Sequence, residues 1–308
     1  MGKPTNKTLM SPKLMQSLRS APFIAPFIIL VFLFYLVPVL LTAVLSGTGM
    51  DFTMRFNFVG LKNFARILSD SVLPQILHNT LVYVFFTCLL NVGFGFILAL
   101  LTTYFIKNEN IGLFFRTLWL LPRMTPPVIY ALLWLWFLDP TEKGMLNVIV
   151  GAFGRPPQNW ILNNPMPTVI LANGLIGVSL GMVIFSSAIK SIPDELYKAA
   201  MIDGAGDFKI IRHIILPLVK WPLMFLTVWQ ILSLITSYEY IMLITDGGPL
   251  FNSEVLSLYS YHKAFSNLEF GYGAALAVIL VLIGILVTTF MLKVFGFDRM
   301  MDPSRLNA

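Results

Sequence analysis

The sequence predicts an all-α, polytopic membrane protein with six transmembrane helices. Of its 308 residues, 57% are hydrophobic and only 12% are charged, whereas soluble globular proteins carry about 25% charged residues. Six apolar runs are each long enough to cross a hydrocarbon core of about 30 Å as a helix. The segments between these runs are too short to form folded domains of their own. One membrane domain therefore accounts for nearly the whole chain.

The six apolar runs lie at 23–45, 81–105, 117–138, 168–189, 221–244 and 272–295. We assign 23–296 to a six-helix transmembrane domain, flanked by tails at 1–22 and 297–308. The first run is longer than the hydrophobic region of a cleavable signal peptide, which has about 7 to 15 residues. We therefore expect this run to remain in the mature protein as the first span.

Three prolines enter the start of the third run: Pro122, Pro126 and Pro127. Proline breaks a helix and leaves backbone groups without hydrogen bonds. At membrane depth this is tolerated only where the backbone packs against protein or lines a cavity. The third span is thus a candidate wall of a transport pathway.

The distribution of basic residues predicts the orientation. With the N-terminus in the cytoplasm, the cytoplasmic segments carry 14 Lys and Arg and the opposite loops carry 6. Cytoplasmic loops are enriched in Lys and Arg, so we expect both termini and the 190–217 loop in the cytoplasm of a bacterial inner membrane. The net charge of +6 then reflects topology, and we expect membrane lipid, not nucleic acid, around the chain.

Several chemistries find no support in the sequence. Cys88 is the single cysteine, and the three histidines are far apart, so neither a disulfide nor a metal site is expected. No Gly-x-x-x-x-Gly-Lys-Ser/Thr loop for nucleotide phosphates is present. We expect a non-catalytic chain that binds no cofactor. An ion-coupled secondary transporter is a less favoured alternative, because inverted repeats and multiple buried ionisable groups are not evident.

The 190–217 loop predicts two short helices at the membrane surface. Ser191 and Asp194 resemble a capping box that starts the first helix, and Asp203-Gly204 ends it. Asp207 is predicted to cap the second helix, with Phe208, Ile211 and Ile215 on one face, and Pro217 marks its end. Small residues beside charged ones would let a cytoplasmic partner dock closely. The alternative is an amphipathic loop that lies on lipid headgroups.

This loop resembles the coupling loop of permease subunits of ATP-binding-cassette importers. The family pattern is Glu-Ala-Ala, three residues, Gly, nine residues, then Ile-x-Leu-Pro. Ala199-Ala200, Gly204, Ile214 and Leu216-Pro217 match it with the spacing intact. Lys198 replaces the usual glutamate, and Glu195 lies nearly one turn earlier. The resemblance implies that the loop docks on an ATPase through a set of residues that we take as coupling candidates: Glu195, Lys198, Ala199, Ala200, Asp203, Gly204 and Pro217.

Further segments extend the resemblance along the chain, closest to the first permease subunit of maltose-type carbohydrate importers. They are 58–64, 78–80, Leu121-Pro122 with Pro126, 136–140 and 243–249. The resemblance implies a heterodimer with a second, homologous permease, two ATPase subunits that bind ATP and Mg, and an extracytoplasmic solute-binding protein. A sugar is the implied solute, and a sugar phosphate, an acidic sugar or a polyol is the alternative.

The substrate-path candidates lie in the third, fourth and fifth runs. Asn173 and Gly177 are four residues apart, as are Ser233 and Ser237, so each pair shares a helix face. The resemblance aligns all four with sugar-contacting positions. The alternative is that Ser and Gly only permit close helix packing.

Arg123 is the fifth substrate-path candidate, since it aligns with a substrate-contacting aromatic residue of the family. Its guanidinium could bind an acidic solute. Three alternatives remain: snorkelling to the interface, an ion pair with Glu239, or hydrogen bonds to carbonyls freed by Pro126 and Pro127.

Overall fold

The computed structural model describes the backbone of residues 12–296 and the side-chain environment of residues 22–296. Within that range the chain is helical apart from its loops and one isolated bridge between Thr48 and Phe58. Helical geometry begins at Pro12, inside the segment predicted as an N-terminal tail. The predicted tail at 297–308 lies outside the described residues.

The helices of the described range are numbered here in chain order. They are α1 (Pro22–Ser46), α2 (Lys62–Leu68), α3 (Leu73–Phe105), α4 (Glu109–Met124), α5 (Pro127–Phe137), α6 (Met145–Gly151), α7 (Trp160–Asn163), α8 (Pro165–Lys190), α9 (Asp194–Ile202), α10 (Asp207–Leu218), α11 (Lys220–Thr236), α12 (Glu239–Ile244), α13 (Leu256–Tyr261) and α14 (Phe270–Phe295).

The predicted all-α membrane architecture is confirmed. Four helices, α1, α3, α8 and α14, are long and apolar enough to cross a membrane, and the total reaches six if α4 with α5 and α10 with α11 each count as one bent span. The bends measure 98° and 67°. The 98° bend lies inside the third run, which is therefore not a continuous helix, whereas the 67° bend at Val219 lies just before the fifth run. The fifth run is interrupted further along: its helix ends at Thr236, and its last residues form α12.

Paired prolines cause the bend between α4 and α5. A residue that precedes proline is pushed out of the helical region, and both Thr125 and Pro126 have extended ψ angles, 131° and 140°. Pro127 then begins α5, where a missing N–H costs nothing. The break leaves Arg123 in the last turn of α4.

The break between α11 and α12 has no proline. Ser237 leaves the helix with ψ 127° and Tyr238 has φ −137°. The carbonyl of Ser237 accepts a hydrogen bond of 2.8 Å from the Ser257 hydroxyl, across the chain. A side chain of the next segment thus replaces a helical hydrogen bond that the break removes, as non-helical backbone at membrane depth requires.

Helix α8 is the centre of the bundle and packs against α3, α4, α11 and α12. Glycines bring its backbone close to that of α3: a Cβ at Gly181 would lie 2.5 Å from the Asn91 carbonyl oxygen, and one at Gly95 would lie 3.0 Å from the Gly181 Cα. By contrast, α1 packs on α14 and leaves most of its apolar side chains exposed.

A polar cluster closes the end of the bundle where α3 begins. The Asn79 amide donates to the backbone carbonyls of Phe251 (2.6 Å) and Glu254 (3.1 Å). The Glu254 carboxylate contacts His262 Nδ1 at 2.9 Å, and His262 Nε2 contacts Asp246 at 3.1 Å. These contacts tie the segment after α12 to the first turns of α3.

Glu254 is the buried acid of this cluster, with only 2% of its surface exposed. Burial raises the pKa of its carboxyl from an ordinary 4.5 to about 7, and the nearby Asp246 carboxylate acts in the same direction, while His262 partly offsets both. The native state therefore binds a proton here more tightly than the unfolded chain does.

We predict that Gly181→Ala destabilises the protein, because its methyl group would meet backbone atoms of α3 that cannot rotate away. The expected loss is about 1–3 kcal/mol, typical of an overpacked core. Gly284→Ala in α14 is the matched control, since a Cβ there meets nothing within 4 Å. Unfolding of the purified variants in detergent measures both. Equal stability of the two variants would contradict the close α3–α8 approach.

We also predict that Glu254 makes the protein more stable in mild acid. Its native pKa is raised above the unfolded value, so its contribution is fully present below about pH 4.5 and is lost as the pH rises through about 7. The thermal midpoint of the wild type, relative to that of Glu254→Gln, should fall between pH 5 and pH 8. A constant difference across this range would show that Glu254 keeps an ordinary pKa.

Candidate functional site

Five helices and both helix breaks meet at a cavity of about 170 Å³. All five substrate-path candidates, Arg123, Asn173, Gly177, Ser233 and Ser237, line it. They come from α4, α8, α11 and the turn after α11. Residues that are distant in sequence thus share one polar surface, although the role of each stays a prediction.

Asn173 is held in place by a hydrogen-bonded group of three side chains. Its amide donates to the Tyr83 hydroxyl at 2.5 Å and to the Ser237 hydroxyl at 3.2 Å, and these two hydroxyls lie 3.2 Å apart. Tyr83 is fully buried in α3. The group therefore fixes α3, α8 and the α11–α12 break relative to one another at the wall of the cavity.

Gly177 lets an α3 side chain enter the same wall. A Cβ at this position would lie 2.2 Å from the Asn91 carboxamide nitrogen, so only glycine leaves room for Asn91. The Asn91 amide donates to Gln230 Oε1 at 3.1 Å. Its own Oδ1 is buried and accepts no hydrogen bond from residues 12–296. This buried acceptor belongs to a residue that lines the cavity.

Arg123 is exposed at the cavity edge, and two of the three alternatives for its side chain can be compared with the structure. It forms no ion pair with Glu239 and donates no hydrogen bond to carbonyls near Pro126 and Pro127 within the described range. Its neighbours at the cavity include the aromatic ring of Tyr240. No Asp or Glu lines this cavity.

Sequence reasoning missed Asn91, Gln230, Tyr83 and Tyr240 as parts of this site. Asn91 and Gln230 are amides inside apolar runs, which is a signal for a polar contact within a membrane. Their pairing joins residues 139 positions apart, and no local pattern encodes such a distance.

The 190–217 loop forms α9 and α10, as predicted, and α9 ends where Asp203-Gly204 was predicted to stop it. Gly204 has φ +74°, and the amides of Gly204 and Ala205 donate to the carbonyls of Met201 (3.1 Å) and Ala200 (2.9 Å). This is a Schellman motif, which requires the left-handed conformation that glycine adopts without strain. A side chain at Gly204 would meet no atom within 4 Å.

Three details of the predicted loop are wrong. Ser191 ends α8, where its hydroxyl donates to the Ala188 carbonyl at 2.7 Å, and does not cap α9. Asp207 lies inside α10 and does not cap it; its carboxylate accepts from the Tyr104 hydroxyl of α3 at 2.8 Å. Phe208 is 74% exposed and points away from the buried face, which Ile210 and Ile215 form.

The buried face of the loop packs under the end of α3. Ile210 and Ile215 join a core with Tyr104 and Phe185, and Ala200 packs against its edge. Tyr197 packs there too; burial raises the pKa of its hydroxyl to about 12. The loop is therefore attached to the bundle through this face.

The remaining coupling candidates lie at exposed positions of the loop, and Lys198 also lines a pocket with residues at the ends of α3 and α8. Glu195, Lys198, Ala199, Asp203, Gly204 and Pro217 are exposed. Beside them Ile202 is 86% exposed, and Met201 and Phe208 are exposed as well. An exposed apolar group that charged residues surround is typical of a protein-binding surface.

Comparison with known proteins finds a family model at residues 91–297, described as "Binding-protein-dependent transport system inner membrane component". The chain is 30% identical to the sn-glycerol-3-phosphate transport system permease protein UgpA of Agrobacterium fabrum, covering 88% of this chain and 92% of that protein. It is 27% identical to the arabinooligosaccharides transport system permease protein AraP of Bacillus subtilis, covering 92% and 91%.

Among solved structures, the fold is similar to a chain of a bacterial alginate ABC transporter in complex with an alginate pentasaccharide-bound periplasmic protein. The TM-score is 0.82 at 20% identity, over 93% of this chain and 96% of that one. The overall arrangement of helices therefore occurs within a known architecture.

Proposed function

The chain belongs to the family of binding-protein-dependent transport system inner membrane components, and from this membership we propose that it is a permease subunit of an ATP-binding-cassette importer for a sugar. Its cavity would form half of the translocation pathway. The 190–217 loop would couple that pathway to an ATPase in the cytoplasm. The chain itself would be non-catalytic.

The observation that carries the sugar assignment is the chemistry of the cavity wall. Asn91, Asn173, Gln230, Ser233 and Ser237 present amide and hydroxyl groups, which both donate and accept hydrogen bonds as sugar hydroxyls do. The buried Asn91 Oδ1 still has acceptor capacity. Relatives named for an arabinooligosaccharide and for glycerol phosphate carry polyhydroxylated solutes, which supports the same class.

The size of the cavity supports a pathway shared by two subunits. At about 170 Å³ it is smaller than the pockets of about 300–1,000 Å³ that enclose small-molecule ligands. One chain thus supplies one wall. We propose that a second, homologous permease supplies the other wall, and that the extracytoplasmic binding protein delivers the solute to both.

We propose two cytoplasmic ATPase subunits as the partners of the coupling loop, and ATP and Mg²⁺ would bind there. Ile202 and Phe208 would enter a groove of the ATPase, with Glu195, Lys198 and Asp203 as polar contacts at its rim. The lysine at 198 replaces the family's usual acid, so its contact on the ATPase would be an acidic or neutral group. Closure of the ATPases would then move the loop.

Reconstitution tests this function together with the loop. The chain, its second permease, the ATPase and the binding protein should give ATP-dependent uptake of radiolabelled sugar into proteoliposomes. Gly204→Val should abolish uptake and weaken co-purification of the ATPase, because a β-branched residue is strained at φ +74°. Gly151→Val is the control, since its side chain also meets no atom within 4 Å. Wild-type co-purification and uptake by Gly204→Val would refute the docking role.

Thiol labelling tests the proposed orientation. Ile202→Cys and Arg155→Cys, each in a Cys88→Ser background, place single thiols at exposed positions on α9 and on the loop between α6 and α7. In intact cells an impermeant maleimide should label Arg155→Cys and should label Ile202→Cys only after lysis. The reverse pattern would invert the topology.

A further inference from the structure

Arg123 is the charged member of the twelve residues that line the cavity. The others are amides, hydroxyls, a glycine, and aliphatic and aromatic groups. An arginine at membrane depth costs several kcal/mol unless water, a counter-ion or hydrogen bonds compensate it. Its presence in this wall therefore requires a physical reason.

The rest of the described chain does not supply that compensation. Arg123 has no ion pair and no hydrogen bond among residues 12–296. Glu239, the acid that begins α12, is exposed and forms no salt bridge with it. The C-terminal end of α4 offers Arg123 a favourable helix dipole, but this is typically worth only about 0.3–1 kcal/mol.

Two other arginines of the chain have partners that stabilise their positive charge. Arg66 pairs with Glu269 at 3.0 Å and lies 4.1 Å over the Tyr272 ring. Arg116, which is buried, binds Glu109 at 2.6 Å and a Thr103 hydroxyl at 2.9 Å. Arg123 differs from both because it lines the cavity and has no ion pair or hydrogen bond within residues 12–296.

We infer that the cavity receives a solute with an anionic group, a carboxylate or a phosphate, which the Arg123 guanidinium binds while the amides and hydroxyls around Asn173 bind its hydroxyl groups. This inference rests on the proposed importer function and narrows its substrate class. The planar guanidinium presents two parallel N–H donors to a carboxylate or phosphate, which a neutral sugar cannot match in charge.

Binding of the anionic solute would also offset the free-energy cost of placing the Arg123 guanidinium at membrane depth. With the solute present, the paired charges and their hydrogen bonds replace water around Arg123 at membrane depth. With the solute absent, Arg123 lies at the edge of a polar cavity near a helix break, where water can solvate such a group. The positive charge would also raise the local concentration of anions at the cavity.

The test uses the reconstituted importer and three pairs of radiolabelled solutes that differ in charge: glucose and glucuronate, maltose and maltobionate, glycerol and glycerol 3-phosphate. ATP-dependent uptake is measured for the wild type, Arg123→Gln and Arg123→Lys. Arg155→Gln is the matched control, because Arg155 is an exposed arginine outside the cavity.

The wild type should take up the anionic member of at least one pair in preference to its neutral partner. Arg123→Gln should lower that uptake on the order of tenfold to a hundredfold, as expected for a lost hydrogen bond to a charged group. Arg123→Lys should retain part of it, and Arg155→Gln all of it. A response of the glucuronate or maltobionate pair would identify a carboxylate as the bound group. A response of the glycerol 3-phosphate pair would identify a phosphate.

Thermal unfolding of the assembled importer separates recognition from structure. Arg123→Gln should leave the midpoint unchanged or raise it, because the residue has no ion pair to lose. Preference for neutral solutes in the wild type, or equal loss of both members of a pair with a lower midpoint, would overturn the anion inference alone. Absence of ATP-dependent uptake for every solute would overturn the importer function and this inference with it.

Discussion

A backbone amide or carbonyl inside a bilayer must be hydrogen-bonded by protein or by water in a cavity. The bundle depends on this constraint, because two of its apolar runs stop being helical part of the way along. The break at Thr125–Pro126 and the break at Ser237–Tyr238 both adjoin one cavity, where Arg123, Ser237 and Tyr240 meet. The positions of the breaks and the position of the polar wall thus have a single physical cause.

The close approach of α3 and α8 brings polar side chains of α3 into the wall of the cavity. Glycines at 95, 177 and 181 remove the side chains that would separate the two helices, so Asn91 reaches the cavity and Tyr83 reaches Asn173. The same close contact fixes α8 against α3 at the centre of the bundle. A polar site formed on a rigid helix keeps its geometry better than one formed on a loop.

Much of this arrangement could be predicted from the sequence, because it depends on local signals. Hydrophobic runs predicted the spans, the proline pair predicted the α4–α5 break, and Asp203-Gly204 predicted the end of α9. The errors come from contacts between distant segments. Asp207 was expected to cap its own helix, but Tyr104 of α3 binds its carboxylate. The α11–α12 break has no proline, and Ser257, twenty residues later, satisfies its carbonyl.

The connectivity of the chain places the 190–217 loop between two helices that line the cavity. Residues 191–219 join α8, which carries Asn173 and Gly177, directly to α11, which carries Ser233 and Ser237. One face of the loop is packed into the core under α3 through Ile210 and Ile215, and the other exposes Ile202 and Phe208. A force applied to the exposed face would therefore act on both cavity-lining helices through a packed joint. Under the proposed function, a two-state change at the loop and a change in the width of the cavity would be one motion, which is the physical requirement for coupling between two sites.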